Sequence, residues 1–214
     1  KFFIFSSAAV YKDGLYKVNE SSKLKPKSVY GKTKLKAENL IKKRCKEKKI
    51  NYGILRYFNV VGASPSGKIG LINKGGHLFK NFSAEILKKK PIFKIFGKNY
   101  KTPDKTTIRD YIHVYDLAEV HIKVLREISI KNTSIILNCG YGKGISVLSV
   151  LNEFKKQLQK NIKISILKRR KGDMEKIIAD NKKLLRFIKW KPKFNKLNIL
   201  VKSSIQWEKK LSRL

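Results

Sequence analysis

Tyr30-Gly31-Lys32-Thr33-Lys34, read with the upstream run Phe2-Phe3-Ile4-Phe5-Ser6-Ser7, decides the fold. The upstream run is apolar, has strand character and ends in two serines. Residues 28–49 then carry helix periodicity, with Tyr30, Ala37, Ile41 and Cys45 recurring on one side. Tyr30 and Lys34, at i and i+4, share a helix face, which sets an ammonium beside a phenol. A free tyrosine titrates near pH ~10, and an adjacent cation stabilises the phenolate and lowers that value. Ser7 would hold a substrate oxygen in line, so the three groups together suit proton abstraction from an alcohol. Chance produces Tyr/Lys pairs in a chain this rich in lysine, so the pair gains weight only from its surroundings.

Working outward, strand-like runs at 2–6, 52–60, 92–96, 134–139 and 162–167 alternate with helical patterns at 28–49, 77–89, 115–128, 146–159 and 197–211. Alternation of this kind predicts an α/β fold with a largely parallel sheet. Residues 60–76, with five glycines and Pro65, read as one long loop, and a loop of that length is usually functional.

The 214 residues, 42% hydrophobic, can bury a core as one large domain or two interleaved smaller ones. The formal charge of +36 invites a nucleic-acid reading. Against it, 43 of the 51 basic residues are lysines scattered through every segment, a solvated surface rather than a stripe. Arginine is scarce and therefore informative, because its planar fork grips phosphate oxygens in pairs as lysine cannot. Arg56, Arg109, Arg169 and Arg170 sit in motif-like segments; each has an ordinary salt bridge as its plain alternative. Cys45 and Cys139, too few for a disulfide framework, suit a reducing compartment, by default the cytoplasm. Neither a signal peptide nor a membrane span is expected. His77, His113 and His121 lack metal-ligand spacing. Gly140-Tyr141-Gly142-Lys143-Gly144 departs from G-x-G-x-x-G and reads as a tight turn rather than a pyrophosphate loop.

Seven segments, taken in order, resemble the UDP-glucose 4-epimerases (UDP-galactose 4-epimerases) of the extended short-chain dehydrogenase/reductase superfamily. They are Phe5-Ser6-Ser7-Ala8-Ala9-Val10-Tyr11, Tyr30 through Leu35, Arg56 through Ala63, Ile95 through Asp104, Arg109 through Leu117, Asn138 through Val147, and Arg169 through Asp173. The resemblance runs from Phe3 to about Trp207. It implies a partial Rossmann-like parallel sheet with a smaller α/β substrate-binding domain. Residues 1–60 and 111–139 would be the remaining part of the NAD-binding domain, and 61–110 and 140–214 the UDP-sugar-binding domain.

The resemblance further implies NAD as cofactor and UDP-glucose/UDP-galactose as substrates, epimerised at C4 through a 4-keto sugar, in galactose metabolism. Tyr30 would be the base, Lys34 would hold the nicotinamide ribose, and Ser7 would bind the 4-oxygen. Ser6 and Tyr57 join Tyr30 and Lys34 at cofactor positions. Asn59, Arg109 and Arg170 match diphosphate contacts, and Asp173 a ribose contact. His77, Leu78, Phe96 and Ile177 complete the substrate set, with Ile177 where bulk at C2 is gauged and His77 where some members carry asparagine. A homodimer is expected, with no nucleic acid or membrane partner.

The sequence also departs from the pattern. The glycine-rich G-x-x-G-x-x-G turn of the nucleotide half does not occur in it, which is expected to leave a sheet edge unpaired. The serine run before Ala8 is one residue short, and Lys12 and Lys105 stand where glycine is usual. A non-catalytic remnant that still binds UDP-sugars, and a UDP-glucuronate or UDP-xylose 4-epimerase, remain the alternatives.

Overall fold

The computed structural model describes residues 2–73, 76–159, 162–170 and 172–213. In chain order the first elements are β1 (Phe2–Ser7), a 3-10 turn (Ala8–Val10), β2 (Lys17–Val18), α1 (Val29–Glu47), β3 (Tyr52–Tyr57) and β4 (Asn59–Val61). Then come α2 (Leu78–Glu85), β5 (Ile92–Phe96), β6 (Ile108–Arg109), β7 (Tyr111–His113), α3 (Val114–Lys131), β8 (Ile135–Cys139) and β9 (Ile145–Ser146). The last are α4 (Val147–Leu158), β10 (Lys163–Leu167), β11 (Lys176–Ala179), α5 (Lys182–Ile188) and α6 (Leu197–Leu211).

β1, β3 and β8 form a parallel sheet in the order β1-β3-β8. Its register aligns Ser7 with Tyr57 and Tyr57 with Cys139, so the carboxyl ends of all three strands lie level. Successive residues of a strand face opposite sides. Gly53 accordingly meets Ile128 of α3, while Arg56, three residues on, meets Glu38 of α1. The two helices therefore cover opposite faces. Among the described residues β1 pairs only with β3.

The run expected as a single strand at 52–60 breaks at Phe58. Phe58 N–H donates to Cys139 C=O in the first sheet, and Asn59 N–H to Asp110 C=O beside the second, in which β4 pairs parallel with β7. This switch carries the chain from one sheet to the next. A four-stranded sheet in the order β2-β11-β6-β9 and the parallel pair β5/β10 complete the strands.

One apolar core runs through most of the molecule. It joins Leu55, Leu137 and Ile112 of the strands to Val120, Val124 and Ile128 of α3 and to an aromatic group under α2 and α4. There Phe82 stacks on Phe93 at 4.1 Å, and Phe154 meets both edge-on at 5.7 and 5.9 Å. Burial at this density, with each ring worth ~1.5–3 kcal/mol of transfer free energy, fixes α2 and α4 on β5. A smaller cluster of Ala8, Val10, Tyr11, Val18, Phe58, Ile177 and Ala179 lies under the turn after Ser7.

The α1 face reading needs one correction. Cys45 of the expected face is buried, but the residues buried with it are Gly31 and Glu38, each one position on from Tyr30 and Ala37, and Tyr30 is 57% exposed. The reason is Gly31: a Cβ there would stand 2.3 Å from Ala9 C=O, and only a bare α-carbon lets α1 approach the 3-10 turn.

Candidate functional site

A cavity of about 1020 Å³ opens among β4, α2, β5, β6 and α6. Seven of the substrate residues anticipated from sequence line it: Asn59, His77, Leu78, Phe96, Arg109, Arg170 and Asp173. Asn59 opens β4 at the sheet switch. His77 is the N-cap of α2 and makes no side-chain capping bond, so the first N–H groups of that helix keep their donor capacity toward the cavity. Arg109 ends β6 and donates from Nη2 to Asp173 Oδ1 at 2.7 Å and from Nη1 to Ile108 C=O at 2.9 Å. Tyr100 donates its hydroxyl to Asp173 Oδ2 at 3.4 Å, and burial followed by the Asp173 charge raises the Tyr100 pKa.

Arg170 lies with its guanidinium 3.7 Å from the Phe96 ring centroid, and among the described residues it has no carboxylate partner. Arg169 instead stacks on Tyr100 at 4.0 Å and pairs with Glu175. Farther along the wall, Lys80 of α2 and Glu208 of α6 form a buried ion pair at 2.7 Å. Nothing in the sequence marked it, because both residues are ordinary on a helix surface.

Ser7, Tyr30, Lys34 and Tyr57 do not line this cavity. They gather at the carboxyl ends of β1 and β3, the end of a parallel sheet where ligands bind. Ser7 Oγ accepts from Ala9 N–H at 3.2 Å and so caps the 3-10 turn against which α1 docks. Lys34 Nζ donates to Phe5 C=O at 2.9 Å and stands 5.7 Å from the Tyr30 ring centroid. Tyr57, paired in register with Ser7, donates its hydroxyl to His121 Nε2; the imidazole is fixed in that tautomer because its Nδ1–H donates to Leu117 C=O at 2.6 Å. Burial raises the Tyr57 pKa and lowers that of His121. Phe5, 52% exposed, packs against both rings. Two residues beyond Tyr57, Asn59 enters the cavity wall, so one turn of backbone connects the two places.

Two anticipated residues stand elsewhere. Ile177 is 2% exposed, packed in the cluster under Tyr11 and absent from the cavity wall. Ser6 is 2% exposed and its hydroxyl donates to Glu38 Oε1 at 2.5 Å, so its side chain is spent inside the protein. Arg56, read as a possible phosphate ligand, is buried as well: Nε and Nη2 donate to the two oxygens of Glu38 at 2.9 and 2.7 Å. Glu38 was missed. Its signal was a carboxylate seven residues from both Gly31 and Cys45, a polar group on the inward seam.

The Gly140–Gly144 turn is no phosphate loop, because the N–H groups of Tyr141 and Gly142 donate to the Asp110 carboxylate at 2.9 and 2.8 Å. The histidines hold separate posts, His113 as the N-cap of α3 with Nε2 on Ser203 Oγ at 2.9 Å. Among the described residues no group of three or more His, Cys, Asp or Glu stands together for a metal, and no helix is long and apolar enough to cross a membrane.

Comparison with known proteins adds a family. The NAD dependent epimerase/dehydratase family matches residues 1–140. A UDP-glucose 4-epimerase of Azospirillum brasilense is 35% identical over 213 residues, 98% of this chain and 61% of that protein. One of Dictyostelium discoideum is 40% identical over 200 residues, 91% of this chain and 58% of that protein. The crystal structure of UDP-glucose-4-epimerase from Stenotrophomonas maltophila with bound NAD and formylated UDP-arabinopyranose superposes with a TM-score of 0.90 at 32% identity, covering all of this chain and 65% of that one. The fold is thus the Rossmann-like α/β fold of these epimerases, and the chain spans about three-fifths of the length of the curated relatives it matches.

Proposed function

The chain belongs to the NAD dependent epimerase/dehydratase family, and from that premise we propose that it carries the substrate site and acid–base residues of a UDP-sugar 4-epimerase interconverting UDP-glucose and UDP-galactose. The observation that carries this reading is the cavity wall, where two guanidinium groups, an uncapped helix start, a carboxylate and an aromatic ring converge.

Each wall group has a matching piece of ligand. Arg109, Arg170 and the first N–H groups of α2 suit a diphosphate, since forked cations and a helix N-terminus both favour anionic oxygens. Among the described residues Arg170 has no acidic partner to give up for a phosphate. Asn59 donates its amide to the same oxygens. Asp173 accepts from the ribose hydroxyls, and the Phe96 ring offers its face to the uracil as Arg170 moves onto the phosphates. His77 and Leu78, at the mouth of α2, bound the sugar side.

The ends of β1 and β3 fit a nicotinamide cofactor. The Lys34 ammonium on the Phe5 carbonyl, with the exposed Tyr30 phenol beside it, forms a cationic, hydroxyl-bearing strand end suited to a nicotinamide ribose. When bound there, NAD supplies the reversible two-electron oxidation of the sugar's C4 carbinol. Tyr30 takes the 4-hydroxyl proton and later returns it. Lys34, held by the Phe5 carbonyl, orients the ribose. Ser7 keeps the 4-oxygen in line, and Tyr57 walls the site from the β3 side. On this reading residues 1–60 and 111–139 serve the cofactor and 61–110 and 140–214 serve the UDP-sugar. The same proposal includes galactose metabolism in the cytoplasm, which the two buried free thiols suit, and a homodimer.

The position of Ser7, Tyr30 and Lys34 outside the cavity wall favours one competing reading, a protein that binds UDP-sugars without turning them over. One experiment separates the two: Tyr30→Phe, with UDP-galactose turnover followed by a coupled assay and UDP affinity by calorimetry. Turnover should fall by at least about 10²-fold, the scale of a lost general base, while UDP affinity holds. Undiminished turnover in the variant would remove Tyr30 as the base, and a wild type that binds UDP but shows no turnover would favour the binder.

A further inference from the structure

We propose that Glu38 is the positioning residue of the Tyr30/Lys34 pair, acting through Arg56; this rests on the reading of Tyr30 as the base. The fully buried residues of α1 are Gly31, Glu38 and Cys45, one per two turns, so the inward seam of this helix presents a bare backbone, a carboxylate and a thiol. Beside that seam the half-buried Leu35 packs on the cluster that holds Tyr11, a non-directional contact that still lets a helix slide or roll.

The carboxylate prevents that. Glu38 is fully buried and makes three short bonds in fixed directions: Oε1 accepts from Ser6 Oγ at 2.5 Å and Arg56 Nε at 2.9 Å, and Oε2 from Arg56 Nη2 at 2.7 Å. Side-on pairing of a planar guanidinium with a carboxylate constrains direction as well as distance. Ser6 belongs to β1 and Arg56 to β3, so the carboxylate is clamped to two strands at once. Lys34 lies one turn and Tyr30 two turns toward the N-terminus of α1, on the same side of the helix. Lys34 in turn holds Phe5 C=O, next to Ser6 on the same strand.

The same arginine also holds the segment that follows Ser7. Its Nη1 donates to Tyr11 Oη at 3.0 Å and to Glu20 C=O at 3.1 Å. The Tyr11 hydroxyl passes on to Asn138 Oδ1 at 2.6 Å, and Asn138 Nδ2 donates to Val18 C=O at 2.8 Å. One buried pair therefore sets two things together, the helix bearing Tyr30 and Lys34 and the turn bearing Ser7. The cavity residues Asn59, Arg109, Arg170 and Asp173 lie on other elements and take no part in it. Loss of the pair should then misplace the proton-transfer groups and leave the UDP-sugar seat intact.

Replacing a buried ion pair by apolar residues of similar volume is often neutral or stabilising, which allows position to be tested apart from stability. The variant is Glu38→Leu with Arg56→Met, compared with wild type and with Tyr30→Phe. A melting temperature at or above wild type, KM for UDP-galactose within about twofold and kcat lower by at least about tenfold is the expected result, since misplacement by an ångström is enough for such a loss. Wild-type kcat in a well-folded double variant would overturn the proposal. If the double variant does not fold, Glu38→Asp decides, because it keeps the charge and draws the fork in by one methylene: kcat should fall with KM unchanged, and wild-type kcat per folded molecule would overturn it. Activity surviving in Tyr30→Phe would instead remove the parent reading, so the two failures are distinguishable.

Discussion

Gly31→Ala puts the docking of α1 to a test whose sign is in question. In a helix, alanine is favoured over glycine by ~1 kcal/mol, so an unobstructed site would gain stability. At position 31 the new methyl would lie 2.3 Å from Ala9 C=O, 2.8 Å from the Pro26 Cβ and 3.1 Å from the Ala9 carbonyl carbon. Comfortable contacts are at ~3.5 Å, so the helix or the turn must retreat by about 1 Å. The nearest obstacle is backbone and cannot rotate away. Ala8 and Val10 on either side of it are 6% and 0% exposed, which leaves the turn little room. Overpacking of this kind costs ~1–3 kcal/mol, and at the upper end of that range the propensity gain is outweighed by about 1–2 kcal/mol. Scanning calorimetry should show a melting temperature lower by about 2–8 °C for a domain of this size. Turnover of UDP-galactose should fall at least about tenfold, because the retreat separates Tyr30 from Ser7. A melting temperature that rises, as for a free helical glycine, would refute the close approach of α1 to the 3-10 turn.

Arg109→Lys keeps the charge and loses the fork that meets Asp173, so calorimetry should show UDP bound about tenfold more weakly or worse; unchanged affinity would take Arg109 out of the diphosphate seat. Burial pushes the Asp110 carboxyl up to about 6 against the pull of its backbone N–H donors, and pushes His113 down to about 4. The raised Asp110 contributes stability that is full below its unfolded value of ~4 and is lost as pH rises through about 6. The depressed His113 contributes stability that is full above ~6.5 and is lost as pH falls through about 4, so the two oppose each other in one window. Asp110→Asn should therefore lose stability on acidification from pH 6.5 to 4.5 more steeply than wild type, by an amount on the order of 2 kcal/mol in urea titrations. Parallel pH profiles for the two proteins would contradict it.

Long elements with a clear period were legible in the sequence, and short ones were not. β1, α1, α3, α4 and α6 follow from apolar repeats that span several turns or a full strand. β2, β6, β7 and β9 hold two or three residues each, too few for any period, and exist because neighbouring strands complete their hydrogen bonds. α5 escaped notice because lysines and an arginine surround the two residues that anchor it, Leu184 and Ile188. The expected helix at 77–89 stops at Glu85, where Leu87 and Lys88 N–H turn back to Ala84 and Glu85 carbonyls. The sheet switch at Phe58 left no mark, since a β-strand and a strand pair with one linking residue look alike in sequence.

The site divides in the same way. Scarcity made the arginines readable as a class, and Arg109 and Arg170 do line the cavity, but scarcity could not separate them from Arg56, whose partner Glu38 lies 18 residues away in the chain. Charge type identifies what a side chain can grip, while burial, which depends on the assembled fold, decides what it does grip.

The most direct measurement is a crystal structure of the protein with a UDP-hexose bound. The Tyr30 hydroxyl should lie within hydrogen-bonding reach, about 2.6–3.2 Å, of the sugar's 4-oxygen, with Arg109 and Arg170 on the diphosphate. A sugar ring seated at the far wall beside Lys80 and Glu208, with Tyr30 facing solvent, would contradict it.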